Sequence, residues 1–257
     1  MQTRKNWEEN AAAWTVLSRA GFDVYRDAFN TPAFLMMLPE VVGLKGIDLG
    51  CGEGYNTRLL VDRGAQITGL DHSGAFVKAA ARKGCSAFVQ GDGRALPFRS
   101  GSFDFATAFM SLMDMMDVPA VLREVARILR PGGFFQFSVM HPCFSPPWRK
   151  NLRDASGQTR AIEVGAYYDE GPRTESWLFS SAPPEIRAAH KPFTIQSVHL
   201  TLSSWFAVLR ETGFTIEDLR EPKPTPEALE KWPTVQDATV VAYFLHIRAR
   251  LAAQSRL

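Results

Sequence analysis

Long apolar runs are missing from this chain. The longest, FATAFMSLM at 105–113, falls far short of the roughly 20 residues a membrane-spanning helix needs. Cysteine is scarce: Cys51, Cys85 and Cys143 have no C-x-x-C spacing, which excludes a disulfide framework and a thiolate zinc site. Charge of one sign is also lacking, since 29 basic residues against 27 acidic leave a net +2, too little to draw the whole molecule to nucleic acid. The opening MQTRKNWEEN contains no apolar stretch and does not read as a signal peptide. Repeats and low-complexity tracts are absent. These absences predict a cytoplasmic protein with no membrane, nucleic-acid or metal partner, and the 46% hydrophobic content suits one large α/β unit with a sizeable core.

What is present is an alternation. Helical patterns with Trp7, Trp14, Phe22, Tyr25 and Phe29 among charges run to about Met37. Strand patterns then fall at GIDLG (46–50), QITGLD (66–71), SAFVQGD (86–92), SFDFATAFM (102–110) and FFQFSVM (134–140). Between them lie helical patterns at 56–64, 74–84 and 119–130, the first two closed by Gly64 and Gly84, the last by Pro131-Gly132-Gly133. Strands alternating with helices of this length predict a parallel sheet covered on both faces. From His141 to about Leu200 the rhythm breaks among seven of the sixteen prolines and many aromatics. That is too long for an idle connection, and predicts an insert with short strands of its own over the sheet's edge. A helix at 202–213, a strand from Phe214 and a long last strand at 238–250 complete the pattern.

GIDLGCGEGYNTR at 46–58 sets Gly50, Gly52 and Gly54 at alternate positions after an apolar run. Glycine in regular structure costs ~0.5–1 kcal/mol against alanine, so packing alone does not account for all three. Where a strand turns into a helix, free N–H groups are exposed, and glycine lets a ligand touch main chain. Asp71 closes the second strand 21 residues beyond Gly50, the distance at which an acidic residue meets ribose hydroxyls in dinucleotide folds. The spacing is G-x-G-x-G, however, rather than the G-x-G-x-x-G that cradles a pyrophosphate. Asp92 ends the third strand ahead of LPF at 96–98, where a carboxylate can accept from an adenine amino group. Ribose and adenine sites without a diphosphate site suit S-adenosylmethionine better than NAD.

GIDLGCGEGYNTRLL, ITGLDHSGAFVKAA, GDGRALPF, FDFATAFM and LREVARILRPGGFFQFSV, in this order and spacing, resemble the class I S-adenosylmethionine-dependent methyltransferases of the type 11 branch over roughly residues 44–140. The resemblance implies a Rossmann-like α/β fold: seven strands, mostly parallel, the last reversed, with helices on both faces. It implies one methyltransferase domain over 1–257, with an N-terminal helical cap at 1–40 and a lid or substrate insert at 141–200. Carried onto this chain, it sets main chain at Gly50, Cys51 and Gly52 against the cofactor's methionine part. Asp48 orients that loop or meets the amino group. Asp71 holds the ribose with His72 beside the adenine, Asp92 and Gly93 bound the adenine edge, and Phe109 and Met110 lie under the sulfonium. S-adenosylhomocysteine is the implied product.

Methyl transfer asks the protein mainly for position and a dry cavity, so the acceptor side is less legible. Asp114, just past the fourth strand, and His141, directly after the fifth, are the candidate catalytic residues; histidine titrates near neutrality and suits a general base. Their alternatives are a loop residue and a hydrogen-bonded hinge. Tyr25 and Trp14 are candidates to close over the cofactor, or ordinary packing aromatics. MSLMDMMD, HPCF and HLTLSSWFAVLRETGF also resemble a bacterial subgroup of small-molecule enzymes in which an arginine follows the histidine of HLTLS; here it is Leu200. His199 is a candidate pocket residue, and His246, in an apolar strand, reads as a filler. The expected function is methyl transfer to a small molecule. The alternatives are an RNA or protein methyltransferase, for which the basic clusters at 148–153 and in the C-terminal tail are the available patches, and a non-catalytic cofactor binder. An NAD oxidoreductase fails on loop spacing and on the lack of a Tyr-x-x-x-Lys pair.

Overall fold

The computed structural model describes residues 2–253, with side chains from residue 5 onward; the end of the basic tail, 254–257, lies outside them. Two N-terminal helices, α1 (Gln2–Arg19) and α2 (Thr31–Met37), flank a π-type turn at Arg26–Asn30. There follow β1 (Lys45–Leu49), α3 (Tyr55–Asp62), β2 (Gln66–Asp71), α4 (Gly74–Ala81), β3 (Ala87–Gln90), β4 (Phe103–Phe109), α5 (Val118–Ile128) and β5 (Leu129–Met140). The insert contributes β6 (Trp148–Arg153), β7 (Thr159–Gly165), β8 (Gly171–Trp177), α6 (Pro184–Ala188) and β9 (Phe193–His199). Then come α7 (Leu202–Glu211), β10 (Phe214–Arg220), α8 (Pro226–Lys231) and β11 (Phe244–Leu251).

Seven strands form one sheet in the order β10-β11-β5-β4-β1-β2-β3. β11 alone runs against its neighbours, antiparallel to both β5 and β10, which is the reversed last strand. Alternation sorts the sheet's two faces. Ile47, Leu49, Ala106, Ala108, Phe135 and Phe137 pack with Val121, Leu122, Val125 and Ile128 of α5 and Trp205 and Leu209 of α7. The opposite face seats Ile67, Phe105 and Phe134 against Val41 and Leu60, with Phe105 and Phe134 stacked at 5.2 Å. α5 carries its apolar residues at helical spacing, and Asp117 caps it by accepting from the Ala120 N–H at 3.0 Å.

Two boundaries in particular differ from the sequence pattern. α5 stops at Ile128, because Leu129 is already extended and pairs with Phe103; regular pairing resumes at Phe105–Phe134, so residues 130–133 bulge from the ladder. The bulge brings the chain so close that a Cβ on Gly133 would lie 2.8 Å from the Asp104 carbonyl oxygen. The last strand starts at Phe244 rather than at 238, since residues 233–239 form a 3₁₀ run held by the buried Asp237. The insert holds two separate antiparallel hairpins, β6-β7 and β8-β9, each reading polar because one face only is covered. α1 lies across the second hairpin and α4. Asn10 donates to the Thr194 carbonyl at 3.1 Å, Glu8 accepts from Ser73 Oγ at 2.7 Å, and Trp14 meets Trp177 edge-on and Phe179 and Phe193 at a tilt. No helix among the described residues is long and apolar enough to cross a membrane.

Candidate active site

A cavity of about 880 Å³ opens at the C-terminal ends of β1, β2 and β4, the edge at which parallel sheets bind ligands. α1, the π-type turn and both hairpins of the insert complete its walls. Of the residues singled out in the sequence, Gly50, Cys51, Gly52, Asp71, His72, Asp92, Gly93, Phe109, Met110, Asp114, Tyr25, Trp14 and His199 line it.

The glycine turn divides its work. Gly50 has φ +67°, and a Cβ there would meet Ser111 Cβ at 2.4 Å, with the Ser111 hydroxyl tied to the Leu49 carbonyl at 2.6 Å. Gly52, at φ +55°, has nothing within 4 Å of its Cβ position and is bare to the cavity. Gly54 packs against Ala80 and Phe88, so close packing counts at Gly54 as it does at Gly50. Four of the turn's amides are already spent: Gly50 and Cys51 donate to the Leu70 carbonyl, Gly54 to that of Cys51, and Gly52 to Asp71 Oδ2 at 2.9 Å. A diphosphate cradle needs those donors free. What the loop offers is Cα–H groups and carbonyl oxygens, which suit a ligand ammonium and apolar stem.

Asp71 accepts twice, from Gly52 N–H through Oδ2 and from Ser73 N–H at 2.8 Å through Oδ1, so it locks the turn to the end of β2. Burial raises its carboxyl to about 6. Asp92 grips Arg94 at 2.6 Å, and that hydrogen bond lowers its carboxyl to about 2. Met110 takes φ +51° at the end of β4, a left-handed conformation that a non-glycine residue adopts at a cost and that clusters at functional sites. Asp114 is held up by the burial of its carboxyl and then by the charges of Glu175 and Asp71. Its Oδ1 is buried and has no partner among the described residues, an unmet hydrogen-bonding position within a residue of the cavity lining.

Two expected site residues sit elsewhere. His141 is buried but is not part of the lining; its Nδ1 accepts from the Cys143 N–H at 3.2 Å, leaving Nε2–H to donate to Glu221 at 2.7 Å. Its pKa falls because of burial, and the geometry is that of the hinge. Asp48 is also outside the lining, on the face of β1 opposite Ile47 and Leu49. It accepts from Thr57 at 2.7 Å and Thr107 at 3.0 Å, so it orients the flanks of the turn rather than meeting a ligand. His246 is fully buried on Asn30 at 2.6 Å. Cavity residues that the sequence did not single out include Trp7, Arg149, Asn151, Arg173, Glu175 and Tyr243. Five of these six sit on the insert or beyond it; Arg149 and Asn151 fall in the basic cluster at 148–153, whose composition points only to a surface patch, and no local motif marks the other three. Among the described residues no group of three or more His, Cys, Asp or Glu is arranged to hold a metal ion.

Asp48 gives a pH prediction. Burial raises its carboxyl from 3.8 to about 6, so its stabilising contribution is complete below about pH 4 and is lost as pH rises through 6. Asp48→Asn does not titrate. The wild-type-minus-variant difference in unfolding free energy is therefore expected to shrink by about 1.4 kcal/mol between pH 5 and 7.5. Urea unfolding at both pH values measures it, and the buried histidines titrate in both proteins and cancel. A difference that stays constant removes the raised carboxyl.

A parallel sheet with one reversed strand, a glycine turn bare to a cavity and an acid closing β2 define the class I methyltransferase architecture. Residues 47–137 match the methyltransferase domain family of type 11. The crystal structure of an S-adenosylmethionine-dependent methyltransferase from Mesorhizobium loti superposes with a TM-score of 0.71 at 31% identity, covering 85% of this chain and 96% of that one. The demethylmenaquinone methyltransferase of Corynebacterium kroppenstedtii is 41% identical over 91 residues, 35% of this chain and 39% of its own length. The fatty-acid O-methyltransferase of Mycolicibacterium smegmatis is 37% identical over 124 residues, 45% and 44% of the two. The chain thus matches less than half the length of these last two relatives. It belongs to the S-adenosylmethionine-dependent methyltransferases, in the type 11 branch.

Proposed function

We propose that this chain transfers a methyl group from S-adenosylmethionine to a small organic acceptor inside the cavity. The observation that carries the reading is continuity: one space runs from Gly52 and Asp71 to Asp114 and the hairpins of the insert. Donor and acceptor therefore share it. When bound, S-adenosylmethionine supplies a sulfonium methyl group for in-line displacement. Asp71, His72, Asp92 and Gly93 receive the adenosine, while Gly50, Cys51, Gly52, Phe109 and Met110 receive the methionine and sulfonium end. Asp114, whose raised basicity follows from burial, holds or takes the acceptor's proton.

Residues 1–40 act as a cap and 141–200 as a lid, and Trp7, Trp14, Phe22 and Tyr25 keep water out. Such a roof favours a small acceptor over an RNA or protein surface, in keeping with relatives named for quinone and fatty-acid substrates.

S-adenosylhomocysteine at 100 times its dissociation constant is expected to stabilise the fold by ~2.7 kcal/mol, while NAD leaves the melting temperature unchanged. Transfer of an isotope-labelled methyl group to a metabolite extract then identifies the acceptor fraction. Stabilisation by NAD alone overturns the donor assignment. Labelling confined to RNA overturns the small-molecule acceptor, and donor binding with no transfer to any fraction favours a non-catalytic binder.

A further inference from the structure

Four arginines line the cavity: Arg26, Arg94, Arg149 and Arg173. Three rest on carboxylates, Arg26 on Asp27 at 2.8 Å, Arg94 on Asp92 at 2.6 Å and Arg173 on Glu175 at 2.6 Å. Arg149, on β6, is the exception: among the described residues no carboxylate oxygen comes within 4.0 Å of it.

This guanidinium is nevertheless held in place. Nη1 donates to Ser145 Oγ at 2.9 Å, Nη2 donates to Asn151 Oδ1 at 3.1 Å, and the group lies 4.3 Å over the Tyr243 ring. Its support is itself braced. Asp237 accepts from Tyr25 at 2.6 Å, from Tyr243 at 2.7 Å and from the Asn151 amide at 3.3 Å. That network fixes both the ring below Arg149 and the amide beside it. Two of the five N–H groups of an arginine are used, and three remain. A partly buried cation immobilised by neutral side chains, with donors to spare and no carboxylate in direct contact, is a site prepared for an anion.

We propose that Arg149 is a carboxylate clamp, and that the molecule accepting the methyl group is a monocarboxylic acid with an apolar body. The term acceptor rests on the methyl-transfer reading above; the clamp does not. One uncompensated cation matches one negative charge. Asp71 on the same cavity, together with Asp237 behind the platform, adds negative charge and disfavours a dianion such as a phosphate ester. Met140, Tyr243 and Phe244 supply apolar wall nearby. Leu200, also on the cavity wall, adds no charge.

The test uses the full chain saturated with S-adenosylhomocysteine and two matched probe pairs, hexanoate with hexanamide and 3-phenylpropionate with 3-phenylpropionamide. Binding is read by ligand-observed NMR and tryptophan fluorescence. Wild type is expected to hold each carboxylate at least tenfold more tightly than its amide. Arg149→Gln abolishes that preference while keeping the stabilisation by S-adenosylhomocysteine. Arg149→Lys, which keeps charge but loses the fork, reduces the preference and decides the matter should the glutamine variant not fold. Equal binding of acid and amide by wild type, including no binding of either, overturns the clamp, as does a preference that survives both substitutions. A carboxylate preference in a protein that does not respond to S-adenosylhomocysteine would leave the clamp standing and overturn the donor reading instead.

Discussion

Gly50→Ala is expected to lower the unfolding free energy by about 2–4 kcal/mol, the sum of left-handed strain and overpacking, whereas Gly52→Ala costs about 1 kcal/mol. Gly50 sits at φ +67° with its missing Cβ directed 2.4 Å from Ser111 Cβ. Ser111 cannot give way freely, because its hydroxyl holds the Leu49 carbonyl at 2.6 Å. Gly52 shares the backbone conformation but has open cavity where its side chain would go. A methyl group there takes the ligand's space, so Gly52→Ala is expected to keep most of its stability and lose the melting-temperature rise with S-adenosylhomocysteine. Urea unfolding and thermal shifts on both variants separate the roles. Equal stability losses, or a retained ligand response in Gly52→Ala, would remove the division of labour within the turn.

Asp71 carries the second large effect. Its two oxygens accept the amides of Gly52 and Ser73, so Asp71→Ala strands two N–H groups and is expected to cost about 2–4 kcal/mol. Asp71→Asn keeps the shape and one acceptor oxygen, and is the cleaner probe of binding. Its carboxylate is the acceptor proposed for ribose hydroxyls, and the asparagine variant is expected to lose most of the ~2.7 kcal/mol that saturating S-adenosylhomocysteine adds. A stable Asp71→Asn protein with an unchanged shift would take Asp71 out of the ligand site. Because burial raises this carboxyl to about 6, affinity in wild type is also expected to weaken below pH 6, where protonation removes an acceptor. Titration calorimetry at pH 5 and 7.5 reads that change.

The central sheet was legible because its signals are short-range. Alternating apolar residues, capping side chains and terminal glycines act within a few positions, so β1 to β4 and the intervening helices fall close to the pattern. The same holds for the acid at the end of β2. Asp48 is instructive: residues at spacing two share a face, so its opposition to Ile47 and Leu49 could be read, but which face meets the cavity could not. His141 shows the converse. Its position after β5 suggested access to the cavity, and its ring is instead occupied by Glu221, 80 positions away.

Local order in the chain accordingly settles the α/β alternation, the glycine turn and the acid that closes β2, since each is encoded by neighbours along the backbone. The roof is a different matter. Tyr25 meets Asp237 across 212 positions, and Asn151 meets Tyr243 across 92. No periodicity records such pairs, because they form only when the N-terminal turn, the first hairpin of the insert and the 3₁₀ run converge above the sheet. That convergence sets Arg149 over the Tyr243 ring, where no carboxylate among the described residues lies within 4.0 Å of it.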